Sequence, residues 1–396
     1  MKAGYYSVLT LLTNKQMKYL LLMRSLSAVV VTFLIFGLTS CGGDSTETSK
    51  SPVGGRGISS CPDPIIIQTD WFPEAEYGAT YELFGGGTYV IDKDNRSVSG
   101  TLHDGDTDTG IGLEVRTGGP AIGFTPVASH MYTDSSITLG YANTEGQITR
   151  FDSAPLLSVI APLEKNPQMI MWDPETYPEV ETLADLGEQD ITINVFSVEV
   201  FSEVFIAQGI WSANQIDPSY DGSPGNFIAS NGEIAQQGFA SAEPYNYKNA
   251  FKEWGKDVEY QLLHDAGFEV YSQTLAIRPD DKASLDPCLK SLVPVIQRAV
   301  VSYATNPTRT NGLIVDAVET FNTFWVYGEG IAAYSVEVQR EKGLVGNGNN
   351  STVGDMDGTR IQQVLDQMNN AGIDTSSITI SDIFTNEYID ESIGFD

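Results

Sequence analysis

Basic residues are scarce in this chain of 396 residues: 22 Lys and Arg stand against 52 Asp and Glu, which gives a formal net charge of -30. Nucleic-acid binding needs clustered Lys and Arg against the phosphates, so no nucleic-acid partner is expected. Only three histidines occur, at His103, His130 and His264, and none stands in a zinc-hydrolase spacing. Without a Ser/His/Asp, Cys/His or metal-spaced set, we expect no catalytic residue, no metal, no cofactor and no enzyme activity.

Cysteines are equally few, and the first lies behind a secretion signal. Basic residues precede an apolar run at residues 28–38, and small residues follow it, which is typical of a signal peptide. The run is short for a membrane span. Leu-Thr-Ser-Cys at residues 38–41 resembles the bacterial lipobox, which implies a lipid anchor on Cys41. The alternative is an ordinary signal peptide with a chance cysteine.

These features divide the N-terminal part into a signal peptide at residues 1–40 and a flexible tether, rich in Gly, Ser and Thr, at residues 41–60. Translation starting at Met17 or Met23 is a further hypothesis. In an oxidising compartment the two remaining cysteines, Cys61 and Cys288, are expected to form a disulfide. Such a bond contributes roughly 4–5 kcal/mol in the chain-entropy model. Two unrelated buried thiols are the alternative.

One stretch organises the rest of the chain. Residues 65–67 are three consecutive isoleucines, which predict a buried parallel strand. The strand ends in Asp-Trp-Phe-Pro at residues 70–73, and a helix is predicted from Glu74 towards Phe84. Ligands of open α/β sheets bind at the carboxyl ends of the strands, so these aromatic residues are candidates for ligand contact. The alternative is that both are core residues.

The same pattern recurs later in the chain. Residues 236–245 predict a strand that breaks at Pro244, beside Glu243 and two aromatic residues. Another strand ends at Tyr141, and a glycine turn at residues 118–119 follows a third. Together these breaks predict two α/β lobes whose strand ends face one another.

A family resemblance follows from these residues. The lipobox, the Asp-Trp-Phe-Pro at residues 70–73 and the Gly-Gly-Pro at residues 118–120 resemble the thiamine-pyrimidine-precursor and sulfonate-binding proteins (NMT1/THI5-like) of ABC importers. The resemblance continues at residues 154–156, 165–171, 183–186 and 237–245. It covers most of the chain between residue 65 and residue 325.

The resemblance implies an α/β, type II periplasmic-binding-protein fold, in which two lobes joined by two crossover segments close over a ligand cleft. Residues 61–170 and 270–396 are then assigned to lobe one, and residues 171–269 to lobe two. The resemblance also implies an extracytoplasmic monomer that delivers a small molecule to ABC permease and ATPase subunits, anchored to the membrane through Cys41.

The chain departs from the family at two positions. Pyrimidine binders and synthases resemble Asp-Trp-(Phe/Tyr)-Pro-Asn-x-x-His, whereas Glu74 and Tyr77 stand here in place of the Asn and the His. The related synthases use an internal His and a cysteine-rich motif, which this chain lacks. A synthase-like enzyme is therefore only an alternative, and the resemblance does not extend to the Asn and the His of the pyrimidine binders.

The residue types restrict the ligand further. An anion favours a helix N-terminus without acidic residues or a nearby Arg, yet the candidate positions offer only Arg116. Carboxylates beside aromatic rings fit a flat, neutral or cationic nitrogenous ring. The predicted ligand is accordingly a thiamine-precursor-like or riboflavin-like solute. Nitrate, taurine or an aliphatic sulfonate is the alternative, as is a lipoprotein that binds a partner without transport. The predicted ligand-binding residues are Trp71, Phe72, Glu76, Tyr77, Gly118, Gly119, Tyr141, Phe196, Phe239, Glu243 and Tyr245.

Overall fold

The computed structural model describes residues 58–197 and 199–396. The predicted signal peptide, the lipid anchor at Cys41 and most of the predicted tether lie outside these residues. The described chain begins with a short 3-10 helix, Ile58–Ser60, in which Ile58 is buried. The folded part therefore starts before residue 60, the predicted end of the tether.

In the part of the chain that the structure describes, twelve strands form two separate sheets. In chain order the strands are β1 (Ile65–Gln68), β2 (Tyr89–Asp92), β3 (Ser97–Asp104), β4 (Thr107–Arg116), β5 (Leu139–Ala142), β6 (Leu157–Ile160), β7 (Gln168–Trp172), β8 (Ile193–Asn194), β9 (Ile216–Asp217), β10 (Ala235–Phe239), β11 (Glu259–Leu262) and β12 (Thr274–Ile277). The first sheet has the order β2-β3-β4-β1-β5-β12-β6, and the second has the order β11-β7-β10-β8-β9.

Helices surround both sheets. In chain order they are α1 (Gly78–Glu82), α2 (Val127–Thr133), α3 (Thr144–Thr149), α4 (Leu183–Glu188), α5 (Val200–Ala207), α6 (Gly225–Ala229), α7 (Glu243–Asn249), α8 (Lys282–Thr305), α9 (Thr308–Phe321), α10 (Glu329–Glu341), α11 (Gly358–Asn370) and α12 (Ile380–Ile383). Within the described residues, no helix has the length and apolar character that crossing a membrane requires.

Strand β1 lies inside the first sheet, parallel to both β4 and β5. All four of its residues are buried, as three consecutive isoleucines with both faces covered predict. The Asp-Trp-Phe-Pro stretch therefore leaves the carboxyl end of a parallel strand. The helix predicted after Glu74 is present as a 3-10 turn, Ala75–Tyr77, that continues into α1.

Two crossover segments, residues 161–167 and 263–273, join the sheets. We call the elements around the seven-stranded sheet the first lobe and those around the five-stranded sheet the second lobe. Strand β7 belongs to the second sheet although residues 168–170 were assigned to lobe one. Helix α11, also assigned to lobe one, packs against α5 of the second lobe as well as α3 of the first. The exact lobe limits remain a proposal.

Cys61 and Cys288 form a disulfide with a Cα–Cα distance of 4.6 Å. The bond links the segment before β1 to helix α8, which packs against α1 in the core of the first lobe. Both cysteines lie in the same lobe, so the bond does not join the lobes to one another.

Replacing both cysteines by serine should lower the free energy of unfolding by about 3–5 kcal/mol, because the bond closes a long loop in the unfolded chain. Urea denaturation of the oxidised protein and of the double variant measures the difference. A reductant should destabilise the natural protein and leave the variant unchanged. Equal urea midpoints for the two oxidised proteins would contradict this expectation.

Candidate functional site

The carboxyl ends of β1 and β5 lie side by side and open one cavity of about 340 Å³. The loop directly after β1 supplies Asp70 and Trp71, and β5 supplies Tyr141, with Asn143 directly after the strand. The side chain of Asn143 accepts a hydrogen bond from the Gly146 backbone at 2.7 Å and so begins helix α3. The topology of the sheet therefore brings two strand ends and one helix start to the same cavity.

A glycine turn fixes the indole ring of Trp71. The Gly118 amide donates to the Trp71 carbonyl at 3.1 Å, and to the Thr69 hydroxyl at 3.2 Å. Gly119 has a φ of +56°, and a Cβ atom there would lie 2.6 Å from the indole. Only glycine combines this backbone conformation with so close an approach. The predicted Gly118 and Gly119 thus lie at the site by supporting Trp71.

The second lobe closes the cavity with Phe196, whose side chain is exposed and lines the cavity. The Phe196 amide donates to the Gln237 side-chain oxygen at 2.8 Å, so strand β10 holds this residue in place. On the first-lobe side, exposed Phe124 packs against Trp71 with ring centroids 6.2 Å apart. Aromatic side chains from both lobes therefore surround the cavity, as is usual for an organic ligand.

A second contact joins the lobes where β10 ends. Ser241 donates its hydroxyl proton to the buried Glu76 carboxylate of the first lobe. The Ser241 carbonyl in turn accepts from Ser335 of α10 at 2.6 Å. Tyr327 continues the network, since its hydroxyl bonds Ser335 at 3.0 Å and accepts from the Ala75 amide at 3.0 Å. The two chain breaks predicted from the sequence are therefore in direct contact.

Four carboxyl groups meet around this contact: Asp70, Glu74, Glu76 and Glu243. Burial raises the pKa of each of them, and the charges of neighbouring carboxylates raise the pKa of Glu74, Glu76 and Glu243 further. The pKa of Glu243 rises to about 7, although its carboxylate accepts from the Phe239 amide at 2.6 Å. Asp70 accepts from the Tyr77 hydroxyl at 2.6 Å.

Two more carboxyl groups face each other from opposite lobes. Burial and the charge of Glu199 raise the pKa of Glu145, in the first turn of α3, to about 8. Burial also raises the pKa of Glu199, the residue before α5, to about 7. Helices α3, α5 and α7 all begin next to an acidic residue at this surface. Once these carboxyl groups are ionised, their charges oppose the attraction that the N-terminal amides offer to an anion.

The cations near the cavity differ from those that the sequence suggested. Arg116 pairs with Glu114 and with Asp134, each at 2.9 Å, and does not line the cavity. Arg150 of the first lobe lines it instead, and its charge lowers the pKa of Glu145. The expectation that Arg116 is the one candidate arginine is therefore wrong. Across residues 58–197 and 199–396, no group of three His, Cys, Asp or Glu side chains is arranged to hold a metal ion.

Solved structures share this architecture. A protein of Bordetella bronchiseptica RB50 is similar with a TM-score of 0.51 and 14% identity, over 83% of this chain and 96% of that one. The ligand-binding component of an ABC-type import system from Staphylococcus aureus, with zinc bound, has a TM-score of 0.51 at 10% identity, over 82% and 97%. A periplasmic sulfonate-binding protein SsuA from Methylobacillus flagellatus KT has a TM-score of 0.50 at 10% identity, over 83% and 93%.

The chain has the type II periplasmic-binding-protein fold. It combines two α/β lobes, a cleft between them and two crossover segments, as the sequence resemblance implied. No family model matches the chain, and a sequence search of curated proteins finds no match. At 10–14% identity the solved structures establish the fold and leave the ligand open.

The cavity contains four of the predicted ligand-binding residues: Trp71, Gly119, Tyr141 and Phe196. Phe72 does not line the cavity. Its buried side chain packs instead against the rings of Phe324 and Trp325. The remaining residues form the surroundings of the cavity and the contact between the lobes: Glu76, Tyr77, Gly118, Phe239 and Glu243.

Tyr245 does not line the cavity, because the strand before it ends earlier than the sequence predicted. Strand β10 ends at Phe239, and Pro244 lies in the first turn of α7 rather than at the end of the strand. A proline is favourable in the first turn because an amide there would have no intrahelical hydrogen-bond partner. Tyr245 then packs against Tyr334 of α10, with ring centroids 5.4 Å apart.

Sequence reasoning missed several residues around the cavity, among them Phe124, Asn143, Gln147 and Arg150, and also Glu145. For Asn143 a signal was present, because an Asn directly after a strand and before a helix is a favoured N-cap. For the others, the contact depends on which loops the fold brings together.

The raised pKa values predict how stability depends on pH. Between pH 4.5 and about 8 the folded protein holds protons on Glu145, Glu199 and Glu243 that an unfolded chain has lost. The free energy of unfolding should therefore fall as pH rises through this window. His264, with a pKa lowered to about 4, acts in the opposite direction only below its ordinary value of 6.5. Thermal melts between pH 6.5 and 8.5 thus isolate the carboxyl groups.

A triple variant, Glu145→Gln, Glu199→Gln and Glu243→Gln, should melt about 3 °C or more above the natural protein at pH 8. Its melting temperature should also change less with pH. Glu203→Gln, an exposed glutamate on α5, is the matched control and should follow the natural profile. The same pH slope in the triple variant and the natural protein would overturn the assignment.

Proposed function

We propose that this protein is the extracytoplasmic substrate-binding component of an ABC importer and captures a small nitrogenous solute between its lobes. The observation that carries the proposal is the aromatic cavity at the ends of β1 and β5, closed by Phe196 from the second lobe. The names of two structures with this fold, an ABC import component and a periplasmic sulfonate-binding protein, support the transport role. Anchoring through Cys41 and delivery to a permease and an ATPase belong to the same proposal, as does a monomeric state.

The charges at the cleft favour a neutral or cationic ligand. Six carboxyl groups lie at or beside the cleft, and Arg150 is the cation at the cavity wall within the described residues. An added anion would meet like charges in a region of low dielectric constant, whereas a cation would offset them. Trp71, Phe124 and Phe196 offer faces on which a flat ring or an organic cation can stack.

We therefore propose a nitrogenous heteroaromatic solute, similar to a thiamine pyrimidine precursor or to riboflavin. The predicted sulfonate, taurine or nitrate ligand is the second candidate, since a solved structure of this fold carries the name of a sulfonate-binding protein and Arg150 offers one cationic group. The proposal assigns no catalytic residue, and Glu74 and Tyr77 still stand where a synthase-like sequence would have Asn and His.

A thermal-shift screen tests the ligand class. Hydroxymethylpyrimidine, formylaminopyrimidine and riboflavin are compared with taurine and nitrate at pH 8, which is above the raised pKa values of Glu199 and Glu243. A bound compound at a hundredfold excess over its Kd should add about 2.7 kcal/mol to the free energy of unfolding. We expect stabilisation by at least one ring compound. Stabilisation by taurine or nitrate alone would reject the heteroaromatic ligand.

The indole of Trp71 should carry much of the binding. Trp71→Ala removes a ring that lines the cavity, so the Kd of the compound that stabilises the natural protein should rise at least tenfold. Isothermal titration calorimetry measures this change. Tyr89→Ala, a half-exposed aromatic on edge strand β2 and outside the cavity, is the control. An unchanged Kd in Trp71→Ala would return this residue to a purely structural role.

A further inference from the structure

The guanidinium group of Arg360 joins the two crossover segments. It lies on helix α11 and is buried. Its Nη1 atom donates to the Glu164 carboxylate at 2.9 Å, and Nη2 donates to the Glu164 carbonyl at 2.8 Å, both in the first crossover. In the second crossover, Nε donates to the Glu269 carbonyl at 2.7 Å and Nη2 to the Val270 carbonyl at 3.3 Å. One side chain therefore binds both connections between the lobes.

The ring of Tyr271 completes this arrangement. It lies 3.7 Å from the Arg360 guanidinium carbon, so the cation stacks on the aromatic face. The Tyr271 hydroxyl accepts from the Asp357 amide at 2.9 Å, directly before α11. Only a planar guanidinium offers donors in enough directions to bond four acceptors and stack on a ring at once. A lysine could keep the charge but could not make all of these contacts.

Tyr271 connects this arrangement to the cavity. Its carbonyl accepts from the Thr144 amide at 2.9 Å, and its own amide donates to the Thr144 hydroxyl at 3.2 Å. Thr144 is the first residue of α3, the helix that carries Gln147 and lies between Asn143 and Arg150 at the cavity wall. The second crossover and the cavity wall are therefore bonded to each other through two hydrogen bonds.

The C-terminal segment also holds the first crossover directly. The Ala161 amide donates to the Gly354 carbonyl at 2.8 Å, and the Glu164 amide donates to the Leu344 carbonyl at 2.8 Å. In the second crossover, by contrast, three buried polar atoms have no hydrogen-bond partner among the described residues: His264 Nδ1, Ser272 Oγ and Gln273 Oε1. The side chains of the second crossover are therefore less completely hydrogen-bonded at these three atoms.

We propose that Arg360 is a positioning residue, which fixes the two crossover segments to each other and thereby sets the hinge about which the lobes close. The functional meaning of closure rests on the proposed substrate-binding role, whereas the hinge itself does not. Losing the guanidinium would leave four acceptors in a largely buried place without their donors and would release the crossovers from one another. It would also loosen the start of α3 through Tyr271.

Hydrogen–deuterium exchange of the full-length protein tests the hinge without any ligand. In Arg360→Lys, the amides of residues 161–167 and 263–273 should exchange at least tenfold faster than in the natural protein, while those of α8 keep their rates. Arg298→Lys is the matched control, since Arg298 pairs with Asp104 at 2.7 Å in the first lobe, away from the crossovers. Unchanged crossover exchange, or a uniform increase that includes α8, would reject the hinge role.

A second variant decides the matter if Arg360→Lys does not fold. Glu164→Gln keeps a side-chain oxygen but removes the charged partner of Arg360. Exchange should then increase in residues 161–167 and less in residues 263–273; no change in either segment would refute the proposal.

The change in radius of gyration on ligand binding is a second measurement, which a residue with a purely structural role would not alter. With hydroxymethylpyrimidine as the probe, small-angle scattering should show a smaller decrease of the radius of gyration in Arg360→Lys than in the natural protein. An equal decrease in both proteins would overturn the role in closure. If this probe does not bind the natural protein, formylaminopyrimidine and riboflavin take its place. If none of the three binds, the proposed ligand class fails while the exchange measurement still decides the hinge.

Discussion

Carboxyl groups from both lobes meet at the cleft with little positive charge to balance them, and this constraint governs what the cleft can hold. Glu243 reaches the surroundings of Glu74 and Glu76 from the opposite lobe, and Glu199 reaches those of Glu145. In a protein of net charge -30 a solvated acidic surface is ordinary, but a group of carboxyl groups that are partly or fully buried is not. Burial raises their pKa, so part of the charge is removed by protons when no ligand is present.

Backbone geometry determines the positions of the aromatic residues Trp71 and Phe72. Trp71 lies at the cavity because β1 ends between two parallel neighbours, and because Gly118 and Gly119 let the next loop approach the indole closely. One residue further, Phe72 turns into the aromatic cluster with Trp325. Two consecutive residues thus differ in role: Trp71 is a proposed ligand contact, and Phe72 is a core residue.

The sequence predicted those parts of the site that local rules determine. The isoleucines of β1 and the strand ends at Trp71 and Tyr141 follow from periodicity and from the usual position of ligands in α/β folds. The strand end beside Tyr245 was predicted wrongly because Pro244 fits both a strand break and the first turn of a helix. Glu145, Glu199 and Arg150 come together through tertiary contacts between loops distant in sequence, which no local pattern encodes. The role of Arg360 is likewise hidden in the sequence, where it is one arginine on an amphipathic helix. Its contacts with the two crossovers depend on the tertiary fold.

Charge and hinge are physically connected in this architecture. Moving the lobes together brings Glu199 towards Glu145 and Glu243 towards Glu76, so closing an empty cleft either places like charges together or requires protons to be taken up. Under the proposed function, a cationic or proton-donating ligand between them would lower that cost and favour closure, since it would bind the closed state better than the open one. Arg360 is connected to the same carboxyl groups through the backbone. It bonds both crossovers and, through Tyr271, helix α3, which carries Glu145. If the proposed hinge holds the two crossovers together, the carboxyl groups of the two lobes keep a defined position relative to each other when the lobes move.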